Sequence, residues 1–306
     1  MPLSADHSKD FDALHPGIGT RAPGASPHRR DALKFAVGAA LGVGYAAAAG
    51  PLSAQTVVRT PADGLVAGPV RFDVGGFQVP AYRAAPAGRT GLPVILVVHE
   101  IWGVHEYIAD VVRRLARAGY LAIAPDLFAR QGDASSYTDT GRLLSELVAR
   151  VPDAQVLEDL DGALRWAGTQ GGDTTRAGIT GFCWGGRMVW LQAAQANLKA
   201  GVAWYGRLVG AANERTPRHP VDVAAQLKVP VLGLYGGQDA GIPLDTVDKM
   251  KAQLSAGSAA AKASQFVVYP EAGHAFHADY RPTFRAAPAE DGWTRALAWF
   301  KTYGVT

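Results

Sequence analysis

A mostly parallel, doubly wound α/β sheet opened by an antiparallel hairpin is the fold this sequence predicts. Short, near-continuous apolar runs alternate with helical patterns of roughly 10–15 residues, as expected of strands covered by helices on both faces. Ahead of them, residues 70–83 alternate apolar and polar around Gly75-Gly76, which reads as two strands joined by a short turn. No second apolar core, internal repeat or low-complexity linker breaks residues 55–306, so a single domain is expected there.

Each element has its own signal. Pro93-Val94-Ile95-Leu96-Val97-Val98-His99 is a near-continuous apolar strand. A helix follows, with Ile108, Val111, Val112, Leu115 and Ala116 on one side, Arg113, Arg114 and Arg117 on the other, and Gly119 to stop it. Tyr120 to Ala124 is the next strand, ending at Pro125-Asp126. Residues 126–152 form a polar insertion with one helix, Thr138 to Arg150. Asp153 is placed to cap the next helix, which carries Val156, Leu157, Leu160, Ala163, Leu164 and Ala167 at helical spacing. Ala177 to Thr180 leads into a tight turn around Cys183, followed by a helix through Asn197. Strands at Ala200–Tyr205, Val229–Tyr235 and Ala263–Tyr269 follow, and an amphipathic helix from Glu290 to Tyr303 closes the chain.

Residues 1–54 have a different character. His28-Arg29-Arg30-Asp31 precedes an Ala/Gly/Val run to Ala49, and small residues surround Leu52-Ser53-Ala54. Adjacent arginines before a short, glycine-rich apolar segment read as a twin-arginine export signal, cleaved to leave a chain from about Gln55. The alternatives are an ordinary secretory signal or an uncleaved anchor. Export implies a periplasmic or secreted bacterial protein, and no stable membrane span in the mature form. The 30 Lys and Arg against 27 Asp and Glu give no basic stripe, so a nucleic-acid partner is not expected. A single cysteine excludes an internal disulfide. A monomer is expected, with the export machinery as partner for the leader.

In a parallel sheet, functional groups gather at the carboxyl ends of strands. Glu100, Cys183, Asp239 and His274 all fall there. Gly181-Phe182-Cys183-Trp184-Gly185 has the form of the G-x-S-x-G nucleophile elbow, with cysteine in place of serine. A buried cysteine packed in a glycine-rich turn is the alternative reading. The order Cys183, Asp239, His274 is that of nucleophile, acid and histidine in α/β-hydrolases and favours the elbow. A thiol of pKa about 8.5 needs a base to ionise; His274 can take its proton while Asp239 fixes the imidazole tautomer. The amides of Ile101 and Trp184, just after the first long strand and the cysteine, are the candidate oxyanion hole. His105 and His277 lack metal-ligand spacing, so no metal and no cofactor are expected.

These motifs resemble the dienelactone hydrolase (carboxymethylenebutenolidase) family of α/β-hydrolases. The likeness rests on His99-Glu100-Ile101-Trp102-Gly103-Val104, Ala124 to Gln131, Gly181 to Gly186, Gly236 to Asp239, and Ala272 to Phe276. It implies an α/β-hydrolase fold, hydrolysis of small esters or lactones through a thioester acyl-enzyme, and a carboxylate at Glu100 that contacts the cysteine and takes its proton when substrate enters. Such a thiol would escape oxidation between turnovers. A structural carboxylate bonded to backbone is the other reading of Glu100.

One departure bears on substrate choice. The resemblance implies arginines that grip a substrate carboxylate, one of them four residues after the histidine, where this chain has Ala278. Arg130, Arg142 and Arg281 are the alternatives, and Trp102 leads a set of aromatics, with Phe128, Tyr137, Trp184, Trp204 and Tyr205, able to line a pocket. The resulting expectation is a weaker preference for acidic lactones. A ligand-binding or sensor protein that has lost turnover is the competing function; a redox protein is disfavoured by the lack of a resolving cysteine.

Overall fold

The computed structural model describes residues 58–195 and 197–306; the export leader assigned to residues 1–54 lies outside the described residues. The alternating N-terminal segment forms β1 (Leu65–Val74) and β2 (Phe77–Pro86), antiparallel and joined at Gly75-Gly76. Both turn glycines have positive φ, 59° and 84°, as a two-residue hairpin turn matched to the strand twist requires. The apolar runs form β3 (Leu92–Val98), β4 (Leu121–Pro125), β5 (Gly172–Phe182), β6 (Ala200–Trp204), β7 (Val231–Gly236) and β8 (Gln265–Tyr269).

All eight join one sheet in the order β1-β2-β4-β3-β5-β6-β7-β8, parallel from β4 to β8 and antiparallel at β1, β2 and the β2–β4 seam. Every residue of β3, β4, β6 and β7 is buried, whereas β1 alternates and β8 is half-buried, because β1 and β8 are the edges. The helices of ten residues or more among the described residues are α1 (Glu106–Arg117), α2 (Asp153–Thr169), α3 (Trp184–Ala193), α4 (Leu244–Ser255) and α5 (Ala286–Thr302). Helices α3 and α5 lie on opposite faces. Gly178, level with Ala200, meets Phe300 of α5, and Gly201, one position on, meets Val189 of α3. The sheet is therefore doubly wound. No helix among the described residues is long and apolar enough to cross a membrane.

Three local readings change. Asp153 is not a cap: Pro152 occupies that position, and both oxygens of Asp153 bind Arg187 on α3, at 2.6 and 2.7 Å. The helix expected over Thr138–Arg150 is present over residues 140–150, its hydrogen bonding passing from α at Thr140–Arg142 through π at Leu143–Leu147 to 3₁₀ at Val148–Arg150, with Leu143 and Leu147 as its buried anchors. Helix α3 stops at Ala193 rather than Asn197. On α1, Arg113 is buried rather than solvated, because it binds the Thr60 carbonyl, the Tyr82 hydroxyl and the carboxylates of Glu106 and Asp110. Helix α4 was not anticipated, although Val247, Met250 and Leu254 carry its buried face at helical spacing.

Candidate active site

Four strand ends converge. Glu100 lies two residues past β3, Cys183 directly follows β5, and Asp239 and His274 sit in the loops after β7 and β8. All four are nearly or fully buried. The cysteine turn is shaped by close approaches. A Cβ on Gly181 would lie 2.4 Å from the Gly185 carbonyl oxygen, and one on Gly185 would lie 2.4 Å from that of Val98 and 2.6 Å from that of His99. Only glycine lets α3 start this near the end of β3. Cys183 itself has φ 56° and ψ −116°, and its amide donates to the Trp204 carbonyl at 3.0 Å.

Three described residues other than glycine have positive φ: Cys183, Tyr205 at 38° and Ala275 at 58°. All three border this site, since Tyr205 packs its ring edge-on against His274 and Ala275 follows it. Backbone strain of about 1–3 kcal/mol each is held here by the surrounding packing.

The side chains form a chain of hydrogen bonds. His274 Nδ1 donates to Asp239 Oδ2 at 2.7 Å, and Asp239 Oδ1 accepts from the Gly241 amide at 2.9 Å. The other ring nitrogen, Nε2, stands 3.2 Å from Cys183 Sγ. Burial works against the imidazolium, but the Cys183 sulfur and the Asp239 carboxylate outweigh it and raise the His274 pKa to about 10.

Glu100 has a separate set of partners. The Tyr280 hydroxyl donates to its Oε2 at 2.6 Å, Arg281 Nε donates to that same hydroxyl at 2.9 Å, and His105 Nε2 is 3.4 Å from Oε2. Burial would raise the Glu100 pKa; the Arg281 charge, His105 and Tyr280 override it and bring it down to about 2. The carboxylate is therefore ionised, while burial and that same negative charge keep Tyr280 protonated as a donor.

Of the arginines, the structure brings only Arg281 to this cluster, buried and held cationic, against desolvation, chiefly by Glu100. Arg130 is engaged by Asp159 of α2 and lies 4.3 Å over the Phe77 ring. Arg142 is exposed and pairs with Glu146. Trp102 is buried beside Ile101, and its indole N–H has no partner. In the two turns that flank the cluster, the Gly103 amide donates to Glu100 and the Arg187 amide to Cys183. The amides of Ile101 and Trp184 stay outside the backbone hydrogen bonding of these turns. An open cavity of about 540 Å³ lies elsewhere, beside Arg89, Pro93, Tyr120 and Lys301 at the opposite end of β3, and includes none of these residues.

The match to the dienelactone hydrolase family model runs over residues 79–304, which takes in every strand that carries a site residue. The chain belongs to the dienelactone hydrolase family. A Methylorubrum extorquens protein named "Putative carboxymethylenebutenolidase" is 58% identical over 271 residues, 88% of this chain and 92% of that one. An Escherichia coli K12 protein of the same name is 55% identical, covering 85% of this chain and 96% of that one. The crystal structure titled "Putative Dienelactone Hydrolase" from Klebsiella pneumoniae superposes with a TM-score of 0.76 at 54% identity, over 78% of this chain and 99% of that one. The protein is thus a hydrolase with an α/β-hydrolase fold.

In this dienelactone hydrolase family member, the residues that the sequence reading passed over are Tyr280 and Tyr107; His277 was weighed there only as a metal ligand, and the structure pairs it with Tyr107 instead. Tyr107 hydroxyl and His277 Nδ1 are 2.6 Å apart, buried beside Phe182 and Trp204. Tyr280 was within reach of inspection, being next to Arg281, but nothing local says that its hydroxyl meets a carboxylate 180 residues earlier.

Proposed function

We propose that this protein hydrolyses small carboxylic esters or lactones through a thioester on Cys183. The observation that carries the reading is the unbroken line Asp239–His274–Cys183, buried at three strand ends. Cys183 passes its proton to His274, Sγ attacks the carbonyl carbon, and the carbonyl electrons move onto oxygen, which the Ile101 and Trp184 amides stabilise. Collapse expels the alkoxide, protonated by His274. Water, deprotonated by His274, then attacks the thioester and releases the acid and the thiol.

Glu100 has a conditional part in this scheme. A carboxyl brought down to about 2 is a poor acceptor for the thiol proton. His274, raised to about 10, is the stronger acceptor in the resting arrangement. Glu100 becomes a base for the thiol only when Arg281 and Tyr280 let it go; until then it neutralises Arg281. Because the Arg281 charge is already satisfied, neutral esters and lactones fit the resting site better than acidic ones.

Cys183→Ala should abolish turnover of p-nitrophenyl acetate, and intact-mass measurement of the quenched wild-type reaction should show the acetylated enzyme. Full activity in the variant would refute the assignment. Saturable ligand binding without turnover or an acyl adduct would favour the binding-protein reading instead.

A further inference from the structure

We infer that His99 is the positioning residue that sets both donors of the oxyanion hole, an assignment that rests on the ester-hydrolase reading above. Its side chain is fully buried between the end of β3 and the loop after β4. The Leu127 amide donates to His99 Nε2 at 3.0 Å. A ring nitrogen that accepts an N–H carries no proton, so the imidazole proton is on Nδ1. That N–H donates to the Glu100 carbonyl at 2.6 Å. One backbone amide thus fixes the tautomer, and the tautomer makes the ring a bridge from the β4 loop to the β3 loop.

The Glu100 carbonyl is one half of a rigid unit. It shares a planar peptide with the Ile101 N–H, which in a trans peptide points the opposite way. Anchoring the oxygen therefore aims the hydrogen. The Gly103 amide holds the same oxygen less closely, at 3.4 Å, so His99 makes the tighter of the two bonds.

The ring face does the second half. His99 stacks on the indole of Trp184, centroids 5.6 Å apart and planes 15° from parallel, and Phe128 packs edge-on against both, at 4.6 and 4.8 Å. Trp184 supplies the other oxyanion amide. One imidazole hence touches the peptide that carries the first donor and the side chain of the residue that carries the second. The spacing between two loops from different strands is set through it, and the Gly185 contact with the His99 carbonyl brings the same two loops together from the backbone side.

The test separates attack on a carbonyl from attack on a saturated carbon. Acylation by p-nitrophenyl acetate passes through an oxyanion; alkylation of Cys183 by iodoacetamide uses the same sulfur but forms none. His99→Leu removes both hydrogen bonds and the stack. The pre-steady-state acylation rate should fall about 10–100-fold, the range in which a misplaced oxyanion donor is felt, while the alkylation rate changes less than about threefold. His99→Gln, which keeps a donor for the Glu100 carbonyl but not the stack, should recover part of the acylation rate; it also serves if His99→Leu does not fold. Equal losses in both reactions, or no loss in either, would overturn the assignment. Wild-type protein without Cys183-dependent hydrolysis would overturn the ester-hydrolase reading and this assignment with it.

Discussion

His277 makes this fold acid-sensitive by an amount that can be worked out. Its ring is buried among Phe182, Trp204 and Trp293 with Tyr107 on Nδ1. Desolvation, with the Arg114 charge, lowers its pKa to about 3; Glu100 offsets only part of this. In the unfolded chain the same histidine titrates near 6.5. Between those values the unfolded state binds a proton that the folded state refuses, so stability is full above pH 6.5 and falls as the pH drops toward 3. At pH 5 the unfolded residue is about 97% protonated and the folded one about 1%, a loss of about 2 kcal/mol relative to pH 7. His274 works in the opposite direction. Its folded pKa of about 10 lies above the unfolded value, so its contribution is fully present below pH 6.5, is lost as the pH rises toward 10, and grows by about 0.8 kcal/mol from pH 7 to pH 5. Glu100, with its pKa lowered to about 2, starts to lose its contribution only below about pH 4.5. A difference measurement removes these background effects. Urea unfolding of wild type and His277→Gln at pH 7 and pH 5 should show the variant losing about 2 kcal/mol less over that interval, because glutamine can still bond Tyr107 but does not titrate. Equal pH slopes in the two proteins would refute the claim that His277 is held neutral by burial.

Two further outcomes follow from the first turns of α3. Gly185→Ala places a Cβ 2.4 Å from a backbone oxygen of β3, so α3 must retreat; kcat/KM for p-nitrophenyl acetate should fall about 10²–10³-fold, with folding loss limited to about 1–3 kcal/mol in urea unfolding. Asp153→Ala leaves the Arg187 guanidinium buried without its bidentate carboxylate and should lower stability by about 3–5 kcal/mol by the same measurement, a cost that an exposed pair such as Arg142–Glu146 would not show.

The places where the sequence reading held and failed have a common physical cause. Strand ends, the hairpin and the cysteine turn were legible because apolar period, Gly75-Gly76 and the small residues around Cys183 act within a few residues of themselves. Asp153 was misread because a carboxylate before a helical run is also what a cap looks like; its partner, Arg187, lies 34 residues on. Arg113 sat on the polar side of its helical pattern, yet Thr60 and Tyr82, from outside the helix, enclose it. Arg130 and Arg142 were as plausible as Arg281 by residue type, and only their partners separate them.

By itself, then, the sequence determined the kind of sheet, the order of its strands along the chain and the four residues at their carboxyl ends. Local propensity and turn chemistry suffice for that. The tertiary structure decided the charge state of those residues. Glu100 is ionised because Tyr280 and Arg281 reach it, His277 is neutral because three aromatic rings enclose it, and His99 is a single tautomer because one amide from the β4 loop donates to it. Protonation depends on dielectric and on charges within a few ångströms, and those neighbours come from parts of the chain that no sequence window holds together.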